Sequence, residues 1–210
     1  MNASATAALT PLPDGVWSTL SAAREAYRAA VPAAYDEVLT EIAERARDTG
    51  SLGKTDVAAL VVWKRLQAGT AWVVELMNLR DAEVRAVTSA AVDAVRDPQA
   101  PRGAAAREGR RALLPLPGCR NGDALASALL TAAAPDRMAV YDRRAQFGLE
   151  RLGYQLTPAP GRYGRYMDLL DDLLVRSGPD ADRWTARDVD TALYWLGRQA
   201  TAAPGDAEEE

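Results

Sequence analysis

The sequence predicts an all-α protein of about ten helices. Three observations carry this. Ala, Leu and Val supply most of the apolar residues, while the β-formers Phe and Ile are scarce. Apolar residues recur at helical spacing along most of the chain, and no segment alternates apolar and polar residues as a half-buried strand does. A chain of 210 residues fits one domain with short tails. Residues 1–13 and 201–210 are rich in Ala, Pro and acids and are expected to be disordered, leaving a single helical domain over 14–200.

The elements follow in order. "VWSTLSAAREAYRAA" and "AAYDEVLTEIAERARD" read as amphipathic helices separated by Pro32. "SLGKTDVAALVVWKRLQAG" holds a more apolar helix expected to close at Gly69, and "TAWVVELMNL" is a short one. Asp81 is expected to cap "AEVRAVTSAAVDAVRD". The Pro-rich break near 97–103 is the candidate internal joint. After it come the Arg-rich helix "AAREGRRALL", a turn at Leu116–Gly122, and a small-residue helix from Asp123 to about Ala133. Asp142 caps "RRAQFGLERLG". "RYGRYMDLLDDLLVRSG" presents Tyr166, Leu169, Leu170, Leu173 and Leu174 on one face, and Thr185 and Asp188 have capping-box spacing at the start of the last helix.

Composition narrows the chemistry. There is no histidine, which removes His-based triads and most transition-metal sites. The only lysines are Lys54 and Lys64, so an amine nucleophile must be one of them or the chain's amino terminus. Cys119 stands alone, so no intramolecular disulfide or thiolate cluster forms; neither a metal nor a cofactor is expected, and a reducing, cytoplasmic location follows. "MNASATAALTPLPDG" lacks the pattern of a signal peptide, and the apolar runs are too short for a membrane partner. The net charge is −4, yet Arg102–Arg144 holds eight arginines against four acids, a local +4 that leaves −8 for the rest. A basic segment in an acidic protein suits a local anionic partner.

That segment contains the candidate site. In "PGCRNG" before "DALASALL", a glycine-bounded turn leaves backbone N–H groups of Gly118, Cys119, Arg120, Asn121 and Gly122 to face a phosphate at a helix N-terminus, although Asp123 sets a negative charge there. Asp142, at the next helix start, is expected to be ionised, with Arg143 and Arg144 beside it to hold phosphates. An ionised carboxylate can stabilise the charge that develops as a glycosidic bond breaks. Tyr141 and Trp63 are candidates to stack on a base, with core packing as the alternative for Trp63. "RYGRY" suits either phosphate contacts or a cation–π pair. Asp168, Asp171 and Asp172 read as a solvated face rather than a metal site. The plain alternative for Leu116–Arg144 is a loop, a core helix and a cap.

"LPG", a Gly-x-x-x-Ala step and "APDRMAVYD" together resemble the helix-hairpin-helix DNA glycosylase superfamily, over about Ala112–Gly153. The resemblance implies an all-helical fold in two halves, duplex DNA as partner, Leu116, Pro117, Gly118, Gly122 and Ala126 in the hairpin, and Asp142 as the catalytic aspartate. The second hairpin glycine follows the first by four residues where the family has two. The lysine that bifunctional members carry two residues past it is Ala124 here, and no four-cysteine cluster exists. The implied activity is therefore N-glycosidic hydrolysis without lyase chemistry. A non-catalytic DNA-binding relative, or a helical protein-interaction or regulatory protein with no nucleic-acid role, are the alternatives.

Overall fold

Each helix buries the stripe its sequence spacing marks out, and most end where a turn residue demands it. The structure, a computed structural model, describes residues 12–177, 181 and 183–201. Residues 1–11 and the acidic 202–210, both in segments expected to be disordered, lie outside the described residues. Leu12, expected in the N-terminal tail, packs on the core, and the Pro13 carbonyl accepts from Val16 N–H.

Ten α-helices and one 3₁₀ turn make up the regular structure of the described residues: α1 (Val16–Ala30), the 3₁₀ turn Ala33–Asp36, α2 (Glu37–Thr49), α3 (Lys54–Trp63), α4 (Ala71–Asn78), α5 (Asp81–Arg96), α6 (Arg102–Ala112), α7 (Ala124–Ala133), α8 (Arg143–Arg151), α9 (Arg162–Ser177) and α10 (Ala186–Thr201). The all-α reading holds. α1 stops before Pro32, and α2 buries Leu39, Ile42, Ala43 and Ala46 on one stripe. At α10 the capping box forms as expected: Asp188 accepts from Thr185 N–H at 2.9 Å, and Thr185 Oγ1 accepts from Asp188 N–H at 3.2 Å.

Two boundaries differ from the sequence reading. α3 ends at Trp63, not near Gly69. Leu66 N–H donates to Val61 O at 2.9 Å and Arg65 N–H to Val62 O at 3.0 Å, a Schellman closure with Arg65 in the left-handed region at φ 55°. Asp81 is the first residue of α5 rather than its cap. Its carboxylate accepts from Lys54 N–H at 2.7 Å, while Glu83 folds back onto Arg80 N–H at 2.7 Å.

The helices pack in two sets. α7 is buried from Leu125 to Ala133 and lies among α2, α3, α5 and α6. α10 packs against α1, α8 and α9, and α9 also lies along α6, joining the sets. The Asp97–Pro101 break, expected as the internal joint, is a turn between α5 and α6, which pack on each other. Arg137 binds it through the Asp97 and Ala100 carbonyls. The chain passes from one set to the other at 31–36 and 134–142.

α8 and α10 approach each other through glycine. A Cβ on Gly148 would collide with the Leu193 carbonyl, and one on Gly197 with the Arg144 carbonyl. This contact fixes the start of α8, and with it Asp142, against the middle of α10.

Candidate functional site

Asp142 is the N-cap of α8. Its Oδ1 accepts from Arg144 N–H at 2.7 Å, and its Oδ2 accepts from Lys64 Nζ at 2.5 Å. Lys64, the C-cap of α3, arrives there because the Schellman closure at Arg65 ends the helix at Trp63 and turns the chain aside. Both side chains are largely enclosed, at 13% exposure for Lys64 and 24% for Asp142. Burial alone would raise the Asp142 carboxyl, but the Lys64 charge and hydrogen bond, with the Arg144 amide, outweigh it. They hold it below the ordinary carboxylate range.

The pair stands on the wall of a cavity of about 500 Å³ where the two helix sets meet. That volume lies within the range of small-molecule sites. The other walls come from the end of α1, the 3₁₀ turn, the end of α3 and one face of α10, and Tyr27, Tyr35, Trp63 and Tyr194 make them aromatic. Trp63 is fixed on three sides. Its Nε1 donates to Asp36 Oδ1 at 3.1 Å, its carbonyl accepts from Tyr35 OH at 2.7 Å, and the Arg187 guanidinium lies 5.4 Å from its ring centre. Arg187 is anchored by Asp190, which also accepts from Tyr166 OH and Val140 N–H. Burial disfavours both charges of that pair. It pushes the Asp190 carboxyl up, while for Arg187 the Asp190 and Asp36 carboxylates overcome it and strengthen the guanidinium's hold on its proton. Lys64, Arg65, Arg144, Arg187 and Arg198 line the cavity against only two carboxylates, Asp142 and Asp190, so its field is positive.

Of the residues expected to act, Asp142 and Trp63 meet in this cavity. Arg144 joins them instead of facing outward: its Nη1 donates to Tyr194 OH at 2.8 Å. Arg143 is exposed on the outer face of α8. Tyr141 is not in the cavity. At 8% exposure it packs edge-on against Tyr166, donates to Gln146 Oε1 at 2.6 Å, and carries the Arg162 guanidinium on its face. The "RYGRY" cation–π reading is thus met by Arg162 and Tyr141, while Tyr163 and Tyr166 are fully buried.

The turn is also only partly as expected. Gly118, at φ 84°, is covered by Trp72 and Leu125, which a Cβ would strike. Cys119 is buried, its N–H donates to Leu116 O at 3.0 Å, and burial pushes its thiol up to about 12; it offers nothing to a phosphate. Arg120 and Asn121 are exposed, and space is open around Gly122. Among the described residues the N–H groups of Arg120, Asn121 and Gly122 donate to no protein acceptor. The Lys64–Thr70 segment links the two regions: Lys64 and Arg65 line the cavity, while Leu66, Gln67 and Thr70 line a shallow depression with Arg120, Asn121 and Gly122.

Sequence reasoning passed over Tyr35, Arg187, Asp190 and Tyr194, and named Lys64 only as one of two lysines open to an amine nucleophile, not as the partner of Asp142. One signal was present: Arg187, Asp190, Thr191, Tyr194 and Arg198 form a polar stripe at helical spacing beside the apolar stripe of α10. The three aspartates of α9 each pair with an arginine, Asp168 with Arg107, Asp171 with Arg102 and Asp172 with Arg176. Among the described residues no helix is long and apolar enough to cross a membrane, and no cluster of acids and cysteine has the makings of a metal site. No family model, no curated protein and no solved structure matches this chain.

Proposed function

We propose that the protein binds duplex DNA and hydrolyses the N-glycosidic bond of a damaged nucleotide turned out into the cavity, without lyase chemistry. The observation that carries this reading is the Lys64–Asp142 pair on the wall of an aromatic, positively charged cavity. Trp63, at 7% exposure and with the Arg187 guanidinium over its ring, is largely core, as its alternative reading had it. The half-buried Tyr35 is therefore the aromatic ring offered to an extrahelical base, and a ligand attached to a phosphate backbone suits the surplus of cationic side chains. Asp142, held ionised by Lys64, stabilises the oxocarbenium-like charge as the C–N bond breaks. The base departs with the bonding electron pair, water adds to the anomeric carbon, and Asp142 accepts the water's proton. Lys64 is engaged as an ammonium in the ion pair, which favours water over an amine as the nucleophile.

Incubation with duplexes carrying a panel of damaged bases tests this. Release of one base is expected, and Asp142→Asn should slow it at least about 100-fold while changing duplex affinity by less than about twofold. Undiminished release by Asp142→Asn would contradict the assignment. Both Asp142 oxygens already accept hydrogen bonds, which favours a second reading, DNA binding without catalysis; duplex binding with no release from any member of the panel would select it.

A further inference from the structure

On the side of the turn away from the Lys64–Thr70 segment lies a second depression, of about 650 Å³, between α6, Asn121–Asp123 and the start of α9. Its walls gather Arg107, Arg110, Arg111, Arg120 and Arg162 around a single carboxylate, Asp123. Asp123, whose negative charge counts against a phosphate at this helix start, stands at the N-cap of α7. It makes no side-chain cap bond and instead organises the arginines: Oδ1 accepts from Arg110 Nε at 2.9 Å and Oδ2 from Arg162 Nε at 3.0 Å. One largely enclosed carboxylate thus holds two guanidinium groups, Arg110 Nη2 donates to the Gly122 carbonyl at 3.0 Å, and Arg110 Nη1 is left buried with no acceptor among the described residues. The other three arginines are tied only by exposed pairs, Arg107 to Asp168, Arg111 to Glu108 and Arg120 to Glu75, and pairs of that kind exchange partners at little cost. Asp168, Glu108 and Glu75 stand outside the lining, so the depression itself carries five positive charges against one negative.

We propose that this depression is a phosphate-binding cleft, built by Asp123 and distinct from the cavity at Asp142. Arg110, engaged by Asp123 and the Gly122 carbonyl, and Arg162, engaged by Asp123, fix positive charge at the floor. Arg107, Arg111 and Arg120, free to leave their exposed pairs, supply the planar edges that bind two phosphate oxygens at once. The phosphate comes either from the backbone of a duplex or from a free nucleotide. The inference requires no chemistry at Asp142, and it extends the proposed DNA contact to α6 and α9.

The test is titration of the full chain with an undamaged duplex and, separately, with ATP, across a salt series. The proteins are wild type, Arg107→Gln/Arg111→Gln, and Arg162→Gln, each checked for an unchanged helical circular dichroism spectrum and Tm. The double variant alters exposed side chains and is expected to fold; it should weaken phosphate-dependent binding about tenfold and lower the salt slope by about one per lost phosphate contact. Loss of duplex affinity supports the cleft with the backbone as its source. Loss of ATP affinity in a protein that ignores duplex supports it with a free nucleotide as its source, and sinks the glycosylase reading alone. Wild-type affinity for both probes in both variants overturns the cleft, and leaves the glycosylase reading standing if the duplex is still bound.

Discussion

The residue that bears most weight is Asp142, and its state is set by Lys64. A carboxyl held below its ordinary range contributes its stabilisation in full above that range, and loses it as the pH falls through the depressed value. Base release should therefore persist below the pH at which a free aspartate protonates. Lys64→Met removes the dominant opposing charge and leaves burial to act, so the Asp142 carboxyl rises. We expect the acid limb of the pH–rate profile to move to higher pH, with a loss of about 1–3 kcal/mol in stability at neutral pH. An unshifted limb in Lys64→Met would show that the pair does not govern Asp142. Asp142 was legible because it opens a helix after a turn of recognisable composition. Lys64 was not, since its partner lies 78 residues away and nothing local marks it.

At the scale of elements, the sequence was clear where a stripe or a cap is local and unclear where a tertiary contact decides. The Thr185–Asp188 box and the Leu39–Ala46 stripe could be read directly. The end of α3 could not: Lys64, Arg65, Leu66 and Gln67 are good helix formers, and Gly69 offers an obvious stop. The chain instead closes on Arg65 in a conformation that favours glycine, and this early stop delivers Lys64 to Asp142. The docking of α8 on α10 is likewise a matter of contact. Gly197→Ala should cost about 1–3 kcal/mol, because the new methyl must push the Arg144 carbonyl away. The same shift moves Asp142 relative to Asp190 and Tyr194, so thermal unfolding should report a lower Tm together with slower base release. A variant with wild-type Tm would mean that the two helices have slack at this contact.

The whole molecule assembles what the chain scatters. The cavity takes residues from 27–35, 63–65, 140–144 and 187–198, which is why only Trp63, Asp142 and Arg144 of its lining could be picked out beforehand. The charge asymmetry had a clearer signature: the surplus of arginine between Arg102 and Arg144 becomes part of the cleft beside the turn and of the cavity wall, while the molecule as a whole stays acidic. A cavity that receives a nucleotide turned out of a duplex should favour a duplex in which that nucleotide is already unpaired and its base absent, because less stacking must be broken. The direct measurement is the affinity of the full chain for a duplex with a stable abasic-site analogue, against the same duplex undamaged, across a salt series. Preference for the abasic duplex by at least about tenfold, with affinity for both falling as salt rises, is the expected result. Equal affinity for the two duplexes, or none for either at low salt, would contradict the assignment of the Asp142 cavity to an extrahelical nucleotide.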